Sequence, residues 1–353
     1  AVGRLFHRPP TSFTGRAPAD LLASALGATL YLPAVRPTLA EDLARCHAGG
    51  AMSMICCLED AIRDDEVADA QRHLIGQLRR YATDVAEPPL LFVRVRRAEQ
   101  VYRVAEGLGP WLSALAGFVL PKFGADGDSI AGLKAVREVG ADLPTPLYAM
   151  PILESRDVAN AEGRIGALLA VRDLLDSYRD EVLAVRVGAT DLSGLFGLRR
   201  PVDLTVWDIG VVASALADIV NVFGRTDGTR FVVVGPVWEY FNRASSRDGL
   251  IRETRLDLAN GLLGKTVIHP SHTMVVHAVS VVAHEEYQDA AAITADPASA
   301  GGVVRSEYGN KMNELRPHLA WARRTLRRAE VFGVAGPGVG VGDLIAATGE
   351  RSA

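Results

Sequence analysis

The sequence predicts an α/β protein built as a (β/α)8 TIM barrel with a C-terminal helical extension. Three observations predict it. Eight short apolar, β-branched runs recur between Gly27 and Ile268. Most are continuous rather than alternating, as parallel strands covered on both faces must be. Helix-like stretches separate them, and that βα alternation sets strands in parallel. An open doubly wound sheet is the rival, disfavoured because no Gly-rich dinucleotide loop follows the first run.

In chain order the runs are residues 27–33 (GATLYLP), 51–58 (AMSMICCL), 90–95 (LLFVRV), 117–120 (GFVL), 146–153 (PLYAMPIL), 182–187 (VLAVRV), 230–234 (RFVVV) and 265–268 (KTVI). Helices are predicted over 38–47, 64–81, 130–139, 158–178, 205–222 and 246–263. The first has Thr38 as N-cap and Glu41 three residues on, a capping box. Beyond the barrel, 271–292 reads as helix and 296–304 as loop. Residues 310–332 read as a strong helix, with Leu315, Leu319, Ala322, Leu326 and Ala329 at helical spacing. The expected division is an N-terminal segment (1–26), the barrel (27–270), the helical extension (271–332) and a flexible Gly-rich tail (333–353).

Composition bounds the function. Lys plus Arg number 38 against 42 Asp plus Glu, a net charge of −4, which lacks the basic footprint of a nucleic-acid binder. With 48% hydrophobic and 23% charged residues among 353, the chain reads as globular. Cys46, Cys56 and Cys57 are odd in number and two are adjacent, so neither a disulfide framework nor a Cys-x-x-Cys knuckle is present. No signal-peptide h-region and no apolar stretch of about 18 residues is seen. The expectation is a soluble cytoplasmic protein acting on a small molecule, with no nucleic-acid or membrane partner.

A barrel keeps its chemistry at the C-terminal ends of its strands. Those ends carry Arg36, Glu59-Asp60, Arg94, Arg96, Lys122, Glu154, Asp191 and His269. Glu154 and Asp191 end neighbouring strands and offer hard oxygen donors; few protein ligands completed by water is the Mg2+ habit. No His-x-His pair or cysteine cluster accompanies them, which disfavours zinc. The alternative is that each carboxylate caps a helix or pairs with an arginine.

Arg94 ends an apolar run, where its charge needs an anionic partner. Its fork suits a substrate carboxylate, and an ion pair with Glu59 or Asp60 is the alternative. Arg36, in a turn between Pro33 and Pro37, is either a second anion contact or a solvated loop residue. Glu59 and Asp60 would orient Arg94 or the waters of a metal, or cap the next helix. A Schiff-base role for Lys122 is disfavoured against a structural one. His269 is a ligand contact or a rim hydrogen-bonding group. Cys56 and Cys57 read as buried inert thiols, and Arg199-Arg200 as a solvated basic loop.

Seven short motifs, in order and each at a strand end, carry a resemblance: Pro33-Ala34-Val35-Arg36-Pro37, Leu58-Glu59-Asp60-Ala61, Arg94-Val95-Arg96, Leu120-Pro121-Lys122, Leu153-Glu154-Ser155, Gly188-Ala189-Thr190-Asp191-Leu192 and Ile268-His269-Pro270. Over residues 30–332 the chain resembles the citrate lyase β-subunit-like C–C bond lyases of the HpcH/HpaI aldolase group. The resemblance implies a TIM barrel, Mg2+ (with Mn2+ as the alternative ion) and a homo-oligomer, a trimer or a multiple of three. It also implies a C-terminal helical segment that helps cover a neighbouring subunit's site.

By the same resemblance, Glu154 and Asp191 match the metal carboxylates and Arg94 the arginine holding the keto acid. Arg36, Gly188 and Ala189 match substrate contacts, and Glu59-Asp60 the adjoining catalytic positions. Three departures stand out. Ala34-Val35 replaces the family's Gly-Asn, Cys57 replaces an aspartate, and Arg96 replaces an asparagine. They retain the metal and product contacts and alter the pocket around an acyl carrier.

The implied activity is Mg2+-dependent retro-aldol or retro-Claisen cleavage of a citrate-, malate- or citramalate-like hydroxy acid. The substrate would be a free acid or a CoA thioester, and the product a keto acid such as pyruvate or oxaloacetate. The rivals are malate-synthase-type condensation or thioester hydrolysis on the same site, and a non-catalytic barrel acting as scaffold or sensor.

Overall fold

The computed structural model describes residues 5–59, 62–85, 87–295 and 302–349. Eight parallel strands close into a barrel in sequence order. They are Ala28–Pro33, Ser53–Cys57, Leu90–Arg94, Gly117–Leu120, Tyr148–Leu153, Val185–Val187, Val233–Trp238 and Lys265–Val267. The first and last strands close the cylinder, Ala28 facing Lys265 and Leu30 facing Val267. The expected (β/α)8 barrel is the fold the chain adopts. Continuous apolar runs signalled it because helices cover the outside while side chains fill the inside; Ser53–Cys57 is buried at all five positions.

Most strands form where predicted. The seventh shifts from 230–234 to Val233–Trp238, so Gly235 and Pro236 lie inside it rather than at its end. The pairing is irregular between Gly235 and Trp238, where a proline lacking N–H is tolerated. A Cβ at position 235 would stand 2.8 Å from both Asp257 Oδ2 and the Gly264 carbonyl oxygen, a closeness only glycine allows.

The outer helices present one apolar face each. Val67–Asp84 buries Ala70, Leu74, Leu78 and Tyr81 at helical spacing. Burying one such large side chain contributes roughly 1.5–3 kcal/mol. The helix predicted over 158–178 divides into Arg156–Ala159 and Arg164–Asp176, because Asn160 takes an extended conformation. Thr38 occupies the N-cap of Leu39–Ala48 but makes no side-chain cap bond.

The chain divides into two compact units. Thr14–Thr273 is the barrel, and Ala1–Phe13 with Met274–Ala353 form the second. In the second, helices His284–Ala295 and Leu315–Phe332 pack through Ala290, Ile293 and Ala322. The stretch 271–292, read as one helix, is two, Ser271–Ser280 and His284–Ala295.

Of the loop read over 296–304, residues 296–301 lie outside the described residues, and Val303–Arg305 pairs with Met312–Glu314 as a hairpin. That pairing delays the next helix from 310 to Leu315. The described part of the Gly-rich tail, residues 333–349, is also ordered. Val334–Ala335 is buried and pairs antiparallel with Phe6–Arg8, and Val341–Gly349 is helical. Composition alone missed this, because two buried apolar residues after Gly333 suffice to fix a short strand. Among the described residues, no helix is long and apolar enough to cross a membrane.

Candidate active site

Strand register brings the rim residues together. Cys57, the last residue of the second strand, faces Arg94, the last of the third. Arg94 in turn faces Val119 of the fourth strand. Glu59 lies two residues past its strand end, Lys122 two past the fourth, Glu154 one past the fifth and Gly188 one past the sixth. Asp191 follows in the helix Ala189–Gly194.

These side chains form one charged chain. Lys122 Nζ donates to Glu59 Oε1 at 2.8 Å, and the other Glu59 oxygen pairs with Arg94 Nη2. The same Arg94 nitrogen stands 3.5 Å from Glu154 Oε1. The Lys122 backbone N–H donates to that Glu154 oxygen at 3.0 Å. It can do so because Lys122 adopts a left-handed conformation, φ +50°, uncommon and locally strained for a side-chain-bearing residue. Glu59, Arg94 and Glu154 are all buried. The sequence alternatives for Arg94 and Lys122, an ion pair and a structural contact, are both realised, and both lie inside the site.

The electrostatics are unbalanced in one direction. Burial pushes the Glu154 carboxyl up to about 7; Arg94 pulls it down, and the Asp191 charge raises it further. Burial also works against the Arg94 charge, but Tyr31, Cys57, Glu154 and Glu59 more than offset this and hold it protonated. Two carboxylates are thus close enough to repel. Gly188 makes room for Glu154: a Cβ there would meet Glu154 Oε2 at 1.9 Å.

A hard divalent cation fits this donor set, since carboxylate oxygens with water complete a Mg2+ shell. Among the described residues no group of three or more His, Cys, Asp or Glu gathers as a metal cage, so Glu154 and Asp191 are the candidate ligands.

The remaining predicted residues fall into place around this core. Ala189 is buried beside Gly188, whose carbonyl accepts from the Leu192 N–H. Arg36 Nε pairs with Asp42 Oδ2 at 2.5 Å, and its side chain is 46% exposed. It therefore stands at a strand end with its charge turned to Asp42 rather than into the Glu59–Arg94–Glu154 chain. Asp60 lies outside the described residues. His269 Nδ1 bonds the Ser271 hydroxyl at 2.7 Å while its ring stacks on Phe241, so it is a rim hydrogen-bonding group. Cys56 and Cys57 are buried, and burial raises the Cys56 thiol out of the reactive range.

Arg199 is exposed, but Arg200 is not the solvated residue the sequence suggested. It is buried, paired with Glu253 and bonded to the Val237 carbonyl.

Sequence reasoning missed three participants. Arg96, placed at a strand end by the sequence but given no role there, straps the loop that carries Glu59. Its Nε donates to the Leu58 carbonyl and its Nη2 to the Glu59 carbonyl, each at 3.0 Å, and Nη2 also bonds the Ile62 carbonyl. Tyr31 and Arg186 lie within apolar strand runs and face the barrel interior. Only the period-2 alternation of Arg186 with Gly188 would have placed that arginine inward.

A closed parallel barrel with a carboxylate pair and an arginine on its C-terminal rim defines a TIM-barrel enzyme of the C–C lyase class. The chain belongs to the C–C bond lyase family of the TIM-barrel fold, which matches residues 20–334. Among solved structures it is similar to a citrate lyase from Burkholderia xenovorans LB400, with 17% identity, TM-score 0.66, and 90% of this chain and 96% of that one covered. It is also similar to CitE from Mycobacterium tuberculosis, solved with magnesium, acetoacetate and coenzyme A (23%, 0.53, 87% and 99%). The magnesium/glyoxylate complex of Haloferax volcanii malate synthase is a third (14%, 0.54, 70% and 72%). A search of curated proteins finds no match.

Proposed function

We propose that this lyase cleaves a hydroxy acid of the citrate, malate or citramalate kind, as the free acid or a CoA thioester, and releases a keto acid such as pyruvate or oxaloacetate. The observation that carries the reading is the buried Glu154 carboxylate just past its strand end, with Arg94 3.5 Å away and Asp191 within electrostatic reach from the helix after the next strand. The magnesium in the CitE and malate synthase complexes supports it. Glu154 and Asp191 would hold Mg2+, or Mn2+ in its place. Bound there, the ion supplies Lewis-acid polarisation of the substrate's oxygens.

The chain's own groups do the rest. Arg94 grips the carboxylate of the oxo acid and, preorganised by Glu59, stabilises charge that develops on it. Lys122 and Arg96 hold Glu59 in place. A base takes the hydroxyl proton; the O–H electron pair forms the new C=O, and the C–C bond pair passes to the departing enolate. Glu59 and Asp60 are the proposed catalytic carboxylates, Gly188 and Ala189 the proposed substrate contacts, and Arg36 a substrate contact only on release from Asp42. The CitE complex with acetoacetate and coenzyme A supports a small oxo acid or an acyl thioester as ligand, and the family resemblance supports a homotrimer or a multiple of three.

The test is cleavage of a panel of hydroxy acids and their thioesters with Mg2+. Glu154→Ala and Asp191→Ala should each abolish it. Cleavage that survives thorough chelation refutes the reading.

A further inference from the structure

Beneath the charged rim lies an arginine with no use in the scheme above. Arg186, on the sixth strand, is 1% exposed inside the barrel. Its Nη1 donates to Thr29 Oγ1 at 3.2 Å and its Nη2 to Thr266 Oγ1 at 2.6 Å. Nη1 also lies 3.9 Å from Met150 Sδ, and Nε finds no partner. Every one of these neighbours is neutral, and among the described residues no carboxylate pairs with it. A buried charge left without a counter-charge is costly, so it is retained for something other than stability.

Tyr31 connects this cation to the site. Two guanidinium groups lie near its ring, with Arg94 Cζ 6.0 Å and Arg186 Cζ 5.8 Å from the ring centroid. The phenol carries a proton of its own that it can give to an acceptor. Tyr31 is half-buried, so it can meet a ligand that Arg186 cannot reach. Arg94 is clasped by two carboxylates, whereas Arg186 has none; the uncompensated positive charge of the site is therefore in its floor.

We propose that Arg186 and Tyr31 are the anion-receiving floor of the site: Arg186 orients Tyr31, and the Tyr31 O–H donates to a carboxylate oxygen of the bound acid. Arg186 is then a positioning residue and Tyr31 a substrate contact. This deepens the lyase reading and rests on it only for the identity of the acid.

The test uses oxalate as a small dianion, titrated by calorimetry with and without Mg2+, alongside thermal melts. Arg186→Met should melt no lower than the wild type, because an uncompensated buried charge has gone. It should bind oxalate about tenfold or more weakly, the loss of one charge-assisted hydrogen bond, while Mg2+ alone binds as before or tighter. Tyr31→Phe should lose the same oxalate affinity. A lower melting temperature with undiminished oxalate affinity in Arg186→Met shows a purely structural arginine and overturns the proposal. If Arg186→Met does not fold, Tyr31→Phe decides alone, and full affinity overturns the proposal. Absence of Mg2+ binding in the wild type would sink the metal-dependent reading instead, while the metal-free oxalate titration still reads the floor.

Discussion

Gly188 and Glu154 share a space that admits no further atom: a Cβ on Gly188 would stand 1.9 Å from Glu154 Oε2 and 2.6 Å from Glu154 Cβ. The absent side chain at 188 is therefore what lets the Glu154 carboxylate occupy its place on the rim. Gly188→Ala should displace Glu154, at an overpacking cost of about 1–3 kcal/mol. Mg2+ affinity by calorimetry should fall at least as far as stability does; a variant with native metal affinity contradicts the assigned role.

Arg96 gives a second prediction. Arg96→Met leaves the Leu58, Glu59 and Ile62 carbonyls without the guanidinium that now serves all three. The expected loss is about 1–3 kcal/mol of stability, measured by urea denaturation. Hydrogen exchange should quicken locally around residues 58–64, and turnover should fall through a displaced Glu59. Uniform exchange across the barrel would argue against a local strap.

A third concerns Lys265, fully buried between Glu253 Oε1 at 2.8 Å and Asp257 Oδ2 at 2.7 Å. Burial raises the Asp257 carboxyl to about 6, with Lys265 pulling it down and Glu253 pushing it up. Lys265→Met strands two buried carboxylates, leaving Glu253 with Arg200 and the Val206 N–H and Asp257 with Trp207 Nε1, and should cost about 3–5 kcal/mol. Adding Asp257→Asn should recover a substantial part of that loss. A double variant no more stable than the single one would show that the charges are not coupled.

The fourth is a pH dependence. Burial lowers His277 to about 4, well below the 6.5 of an exposed histidine. Between those values the unfolded chain binds a proton that the folded one refuses, so this group makes stability rise with pH and fall as pH drops from about 6.5 to 4. For His277 alone the loss from pH 7 to pH 5 is about 2 kcal/mol. Buried carboxyls such as Asp257 work in the opposite direction, so the difference between wild type and His277→Leu isolates the term. Equal pH slopes for the two proteins in urea melts would contradict it.

How much of this was legible beforehand follows from where the signal lay. Strand number and order were readable because each strand is an apolar run bounded by breakers, and the strand-end rule then picked out Glu59, Arg94, Glu154 and Asp191 without coordinates. The seventh strand slipped by three residues because 230–234 is the more β-branched segment, while Gly235 and Pro236 look like an end. Arg200 was misread because nothing local tells an arginine in a basic loop that Glu253, more than fifty residues on, will bury it. The interior place of Arg186, which the sequence had set only on the sixth run, was hidden for a related reason: burial of a charge inside a barrel depends on Thr29 and Thr266, which only closure of the cylinder brings near.

The central claim is that Glu154 and Asp191 share one hard cation beside Arg94. Calorimetric titration of Mg2+ into the wild type, Glu154→Ala and Asp191→Ala, each with and without oxaloacetate, tests it most directly. The account predicts saturable Mg2+ binding by the wild type, strengthened by oxaloacetate and lost in both variants. Mg2+ binding of equal strength in all three proteins would contradict it.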